Sequence, residues 1–230
     1  MFRVANQDFF KHWTPEMAYV LGFFAADGTM IVNNRGAHFI EFHITDRHLL
    51  FQIRALIGSN HKIAKRTEDN LKHKAGYRLQ IGSKEIFNDL RTLGFTPRKS
   101  KRMKLPNIPT IVFGDFVRGY FDGDGCVYFK KHIVKGRKNP RWVFSTRFTA
   151  GSRDFLDLLH RVLLTRGIKR GFIVRKSNNS GFDLVFSHHD SLALFHLMYD
   201  TVPDSGPYLF RKYNLFRKAV RTLYGKEMRL

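Results

Sequence analysis

Two short stretches of this chain end alike. Residues 20–28 read VLGFFAADG and residues 117–125 read VRGYFDGDG, each an apolar run closed by aspartate and glycine. An acid is badly placed there: a helix C-terminus already carries partial negative charge and disfavours a carboxylate by roughly 0.3–1 kcal/mol. Repetition of the awkward feature constrains the fold, because the residues after each copy repeat as well. After the first copy comes a β-rich segment, residues 37–45, and after the second a similar one, residues 141–149. Residues 46–58 and 152–167 then show apolar positions at helical spacing. Strand-like segments 60–66 and 77–83 match 170–176 and 182–188, each pair joined by a polar turn with glycine. Helical segments 83–95 and 188–199 close the copies.

Each half therefore reads α-β-β-α-β-β-α. The expected fold class is α+β, with residues 1–95 as one repeat, 110–230 as the other, and 96–109 as a basic, proline-containing linker. The first helix has start signals in Thr14, Pro15 and Glu16. Its body is apolar on all sides, which implies burial. Gly22 and Ala26 share one face, as do Gly119 and Gly123. Glycine inside a helix costs roughly 0.5–1 kcal/mol against alanine. Matched small positions let two backbones approach, so the two helices are expected to pack side by side through Gly22 and Gly119. That arrangement brings Asp27 and Asp124 together. Two carboxylates at two negative helix ends require a positive counterpart, and a divalent cation such as magnesium suits them, with manganese or calcium able to take the same place.

Charge points the same way. Lysine and arginine number 40 against 19 acids, a net charge of +21. A polyanion is the natural partner of such a surface. Period-two alternation sets Trp142, Phe144, Thr146 and Phe148 against Arg141, Val143, Ser145, Arg147 and Thr149, and Tyr77, Leu79 and Ile81 against Arg78 and Gln80. The second set in each strand is the outward one and offers groups that meet base edges or phosphates. Lys72 and Lys74 flank it in the first half; Lys130, Lys131, Arg137 and Lys138 flank it in the second, with Arg175 on a later strand.

Other chemistries are excluded or demoted. A single cysteine, Cys126, permits no internal disulfide and no multi-cysteine zinc site. The longest apolar run, residues 18–26, is too short for a bilayer, and residues 1–13 lack a signal peptide's apolar centre, so no membrane is expected. His188, His189 and Asp190 fall where the repeat predicts a helix start and read as capping and solvated groups.

The two nine-residue motifs, their separation and the repeated halves resemble a single-chain, two-repeat LAGLIDADG homing endonuclease, over nearly the whole chain. The resemblance implies a saddle of two antiparallel sheets over double-stranded DNA, with the motif helices at the interface. It implies Asp27 and Asp124 as catalytic metal-binding acids, aided by the backbone carbonyls of Ala26 and Gly123. It implies a basic residue near each site, carried to Lys99 and Lys212 rather than their neighbours Arg98 and Arg211. Asp46 and Ser152 are implied as water-ordering groups. Asp122 occupies a motif position that Ala25 does not keep, and reads as structural. The implied activity is metal-dependent hydrolysis of both strands of a long, asymmetric target by a monomer without obligate protein partner. An RNA maturase and a catalytically silent DNA-binding regulator are the alternatives. An intein is disfavoured, since the chain begins with Met and does not end in His-Asn. A bacterial or archaeal cytoplasm, or an organelle matrix, would suit it.

Overall fold

Thr14 opens the first helix, its hydroxyl accepting from the Met17 amide, with Pro15 in the first helical position. This α1 runs Pro15–Asp27 and is buried from Met17 to Ala25. The computed structural model describes residues 2–66, 76–133, 136, 139–202 and 206–225. Gly28 ends α1 and begins β1 (Gly28–Val32), which pairs with β2 (His38–Ile44). Next come α2 (Arg47–Leu56), β3 (Ile63–Arg66), β4 (Gly76–Gly82) and α3 (Lys84–Thr92). The second half repeats the order with α4 (Phe113–Asp124), β5 (Gly125–His132), β6 (Arg141–Ala150), α5 (Arg153–Leu164), β7 (Phe172–Arg175), β8 (Phe182–Ser187) and α6 (His188–Tyr199). It then adds α7 (Phe210–Tyr224), which has no counterpart among the described residues of the first half.

Each half folds into a four-stranded antiparallel sheet, ordered β1-β2-β4-β3 and β5-β6-β8-β7. The architecture is α+β, as the repeat predicts. Register shows the halves to be superposable in detail: Gly28 pairs with Phe42 and Phe42 with Leu79, while Gly125 pairs with Phe148 and Phe148 with Leu184. Phe42 and Phe148 each receive a motif-helix phenylalanine edge-on, Phe24 at 5.5 Å and Phe121 at 5.7 Å between ring centroids.

Helices α1 and α4 lie side by side, running in the same direction. A β-carbon on Gly22 would stand 2.9 Å from the Tyr120 backbone nitrogen and nearer still to the Phe116 carbonyl oxygen. One on Gly119 would stand 2.9 Å from the Phe23 nitrogen and nearer still to the Tyr19 carbonyl. The contacts mirror each other, so both glycines are required by close backbone approach. Among the described residues no helix is long and apolar enough to cross a membrane. Segment 96–109 is more than a tether: Lys99–Lys101 forms a 3-10 turn whose Ser100 carbonyl lies against Gly151, and Lys99 is buried.

Candidate active site and its flanking sheet faces

The close helix pair delivers its two acids to one place. A β-carbon on Gly123 would lie 3.2 Å from Asp27 Oδ2, so α4's last turn touches the Asp27 side chain. Burial, followed by the nearby Asp124 charge, pushes the Asp27 carboxyl up to about 7. Asp124 is raised too, again by burial, with Lys99, Lys212 and Lys176 pulling it down. Each motif helix ends under a buried lysine. Lys99 Nζ donates to the Ala25 carbonyl at 2.8 Å and lies over the Phe24 ring. Lys212 Nζ donates to the Phe121, Asp122 and Gly123 carbonyls at 2.6, 2.9 and 3.1 Å and lies over the Phe121 ring. The ammonium groups offset the helix-end charge that made an acid there awkward. Burial lowers both lysines to about 8, against the pull of neighbouring aspartates.

Lys99 and Lys212, not Arg98 and Arg211, point inward: both arginines are exposed, and Arg98 adopts a left-handed backbone that turns the next residue toward the site. One expectation from sequence changes, at Asp190, while Asp46, Ser152 and Gly123 also have partners within the chain. Asp46 and Ser152 cap helices: Asp46 accepts from the His48 and Leu49 amides, Ser152 from that of Phe155. The Gly123 carbonyl accepts from Lys212 and keeps a second lone pair. Asp190 caps nothing of its own helix; it accepts from the Lys169 and Arg170 amides. Lys176, half-buried just after β7, is not singled out by sequence, because nothing marks a loop lysine among so many.

The acid pair suits a hard cation. Among the described residues no third His, Cys, Asp or Glu gathers there. Two carboxylates, with other oxygens completing the shell, are ligands of the kind a hard divalent cation takes.

Outward faces obey the alternation. Arg78 and Gln80 share theirs with Thr29, Glu41 and His43; Arg141, Ser145 and Arg147 share theirs with Cys126, Tyr128 and Lys130. Two placements differ from expectation. Lys131 pairs with Trp142 and lies over its ring on the opposite side. Arg175 pairs with Phe182, on the parity of the core, at the exposed end of an edge strand. Lys72, Lys74, Arg137 and Lys138 lie outside the described residues.

Sequence reasoning misses a buried acid on each outward face. Glu41, 5% exposed, accepts from Gln80, meets Arg78 at 3.5 Å and contacts His43 at 3.0 Å. Asp183, 7% exposed, accepts from Thr149 at 2.7 Å and meets Arg147 at 3.5 Å. By register Glu41 corresponds to Arg147 and Arg78 to Asp183. The same cross-strand ion pair is thus written with its charges exchanged. Arg3 and Lys62 join Ala64, Arg78 and Gln80 around one recess of the first face.

Solved structures share this architecture. A lysine-to-alanine variant of I-SmaMI aligns with TM-score 0.65 at 15% identity, over 91% of this chain and 92% of that one. The I-SmaMI LAGLIDADG homing endonuclease bound to cleaved DNA aligns with TM-score 0.62 at 14% identity, over 91% and 88%. The I-LtrWI LAGLIDADG homing endonuclease bound to target DNA aligns with TM-score 0.59 at 11% identity, over 95% and 92%. A search of curated protein sequences gave no match. The sequence profile of the LAGLIDADG-like domain matches twice, over residues 14–93 and 114–197, one stretch holding Asp27 and the other Asp124. With a motif helix, a four-stranded sheet and one acid of the pair in each matched stretch, this chain belongs to the LAGLIDADG family.

Proposed function

We propose that the protein is a homing endonuclease that cuts both strands of a long, asymmetric duplex target in a magnesium-dependent reaction. One observation carries the reading: two carboxylates brought together by the α1–α4 crossing, with a buried lysine over each helix end. A DNA-binding regulator without catalysis has no use for that costly arrangement. The DNA bound in the I-SmaMI and I-LtrWI structures supports the same partner.

Asp27 and Asp124 would hold the cation. A divalent cation held there would supply activation of a water for attack on phosphorus and neutralisation of charge on the phosphate oxygens. Lys99 and Lys212, buried over the helix ends, would supply positive charge beside the acids and so stabilise charge that develops on the phosphate in the transition state. The outward faces of the two sheets would follow the duplex. Arg78, Gln80 and Arg147, oriented by buried acids, suit base edges, while Lys130 and Arg141 suit phosphates. Because the two faces carry different side chains, a target read by both is asymmetric. One chain supplies both acids, so a monomer suffices.

Selection of cleaved sites from a random duplex library, with magnesium and with EDTA, tests this. One enriched long site, cut on both strands only with metal, is the expected result. Binding without cutting at any magnesium concentration would favour the regulator, and no cutting or duplex binding would remove the reading.

A further inference from the structure

The motif helices correspond at each site position but differ along one face. Helix α4 carries Asp115, Arg118 and Asp122, where α1 carries Ala18, Leu21 and Ala25. Spacings of three and four place the three polar residues on one side of α4. All are buried, Asp122 and Arg118 nearly completely. Such groups are costly in a core unless paired, and their partners are specific. Arg118 meets Asp115 at 2.8 Å and donates to the carbonyls of Met198 and Pro207 at 2.9 and 3.1 Å. Asp122 Oδ2 accepts from the Leu209 amide at 2.8 Å and from the Tyr19 hydroxyl at 2.7 Å.

The main-chain contacts of this array fall on the approach to α7. Met198 lies in the last turn of α6; Pro207 and Leu209 immediately precede Phe210, where α7 begins. Leu209 is the N-cap residue of α7 and offers no side-chain cap. A carboxylate beside that amide meets both the unsatisfied donor and the positive end of the helix. One turn further on is Lys212, reaching back to the α4 carbonyls. The first half needs no such device: Lys99 comes soon after α3 in a 3-10 turn, and α1 is apolar at the corresponding places.

We propose that Asp122, assisted by Arg118, is a positioning residue that docks the start of α7 and so sets Lys212 in its site. Cleavage of the strand that Lys212 serves then depends on Asp122, and cleavage of the other strand does not. The inference rests on the endonuclease reading for its consequence, not for its geometry.

Two measurements on the full chain separate these. End-labelled duplex bearing the selected target gives the cutting rate of each strand. Lys212→Ala identifies the strand that Lys212 serves. Asp122→Ala should slow that same strand at least roughly ten-fold more than the other, the order expected for a displaced catalytic group. The double variant should be no slower there than Lys212→Ala alone. Asp122→Asn, which keeps an acceptor oxygen, should show the same bias in smaller measure, and it decides the matter if the alanine variant does not fold. Equal slowing of both strands, or of neither, overturns the proposal. Hydrogen exchange needs no activity: amides of 210–224 should exchange faster in either Asp122 variant while those of 84–92 do not change. Unaltered exchange in 210–224 overturns the docking role. A parent protein that cuts neither strand counts against the endonuclease reading alone.

Discussion

Replacing Gly22 by alanine should destabilise this protein, although the same change in an exposed helix stabilises by about 1 kcal/mol. The new β-carbon would stand 2.9 Å from the Tyr120 nitrogen and closer to the Phe116 carbonyl oxygen. Ordinary contact between such atoms needs about 3.5 Å. Both obstacles are main chain, so no rotamer change relieves them, and α1 and α4 must part by roughly 1 Å. Overpacking costs about 1–3 kcal/mol when side chains can yield. A rigid neighbour puts Gly22 at the upper end. Subtracting the helix-propensity gain leaves a net loss of about 2 kcal/mol. For a chain of this size that is a fall in Tm of roughly 4–8 °C. Thermal melts and urea titration monitored by circular dichroism measure it, with an unchanged m-value as the check that only stability moved. Gly119→Ala should cost a similar amount, since its contacts mirror those of Gly22. The double variant should cost less than the sum, because the first β-carbon already parts the helices. Cutting should fall by about 100-fold as Asp27 and Asp124 separate. A Tm equal to or above the parent's would refute the close-approach account of the motif glycines.

Three further outcomes are expected. Asp27→Asn and Asp124→Asn should each abolish cutting of at least one strand and reduce the magnesium-induced rise in Tm, read by end-labelled cleavage and calorimetry. The pH dependence comes from the Asp27 carboxyl at about 7. Between about pH 4 and 7 the folded state holds a proton that the unfolded chain, titrating near its ordinary carboxylate value, has released. This group therefore lowers metal-free stability as pH rises through that window. Magnesium competes with the same proton, so its stabilisation should be larger at pH 8 than at pH 6; an equal effect at both would show that Asp27 is not a ligand. Glu41→Gln frees Arg78 from its acid, so the log–log salt slope for non-specific duplex should steepen by up to about 0.9, one phosphate contact, while discrimination at the selected target weakens. An unchanged slope in a salt titration would mean that Arg78 does not reach DNA.

Much of this fold is legible in the sequence because it is written twice. A single apolar run ending in Asp-Gly is ambiguous between a turn and a site. Two, at corresponding places and each trailed by the same alternation of periods, give the succession of elements, the helix pairing and the position of the acids. Position 99 is legible only through resemblance, for nothing local distinguishes Lys99 from the basic residues around it; burial and the bond to the Ala25 carbonyl do so. Outward-facing acids are not legible. Glu41 lies in a strand whose neighbours Ile40 and Phe42 are core, and period two says which face it takes but not that Arg78 and Gln80 converge on it. Arg175 and Lys131 mislead in different ways: Lys131, read as flanking the sheet, lies within β5 on the parity of Trp142, and Arg175 lies on the parity of Phe182.

Where the repeat is broken, the physics of each half differs. The ion pair between β2 and β4 keeps its place but exchanges its charges between β6 and β8. An arginine then projects from β4 in one half and from β6 in the other, so the two faces cannot present the same groups to a duplex even where their backbones superpose. The lysines show the same logic inside the molecule. Both reach the carbonyls of a motif helix and lie over a motif phenylalanine. One arrives by a short turn after α3, the other on an added helix that buried Asp122 and Arg118 tie to α4. Duplication supplies two equivalent acids, and divergence at 41, 78, 115, 118 and 122 makes their surroundings unequal. Cutting of the two strands should accordingly respond unequally to substitutions, even though Asp27 and Asp124 occupy corresponding ends of corresponding helices.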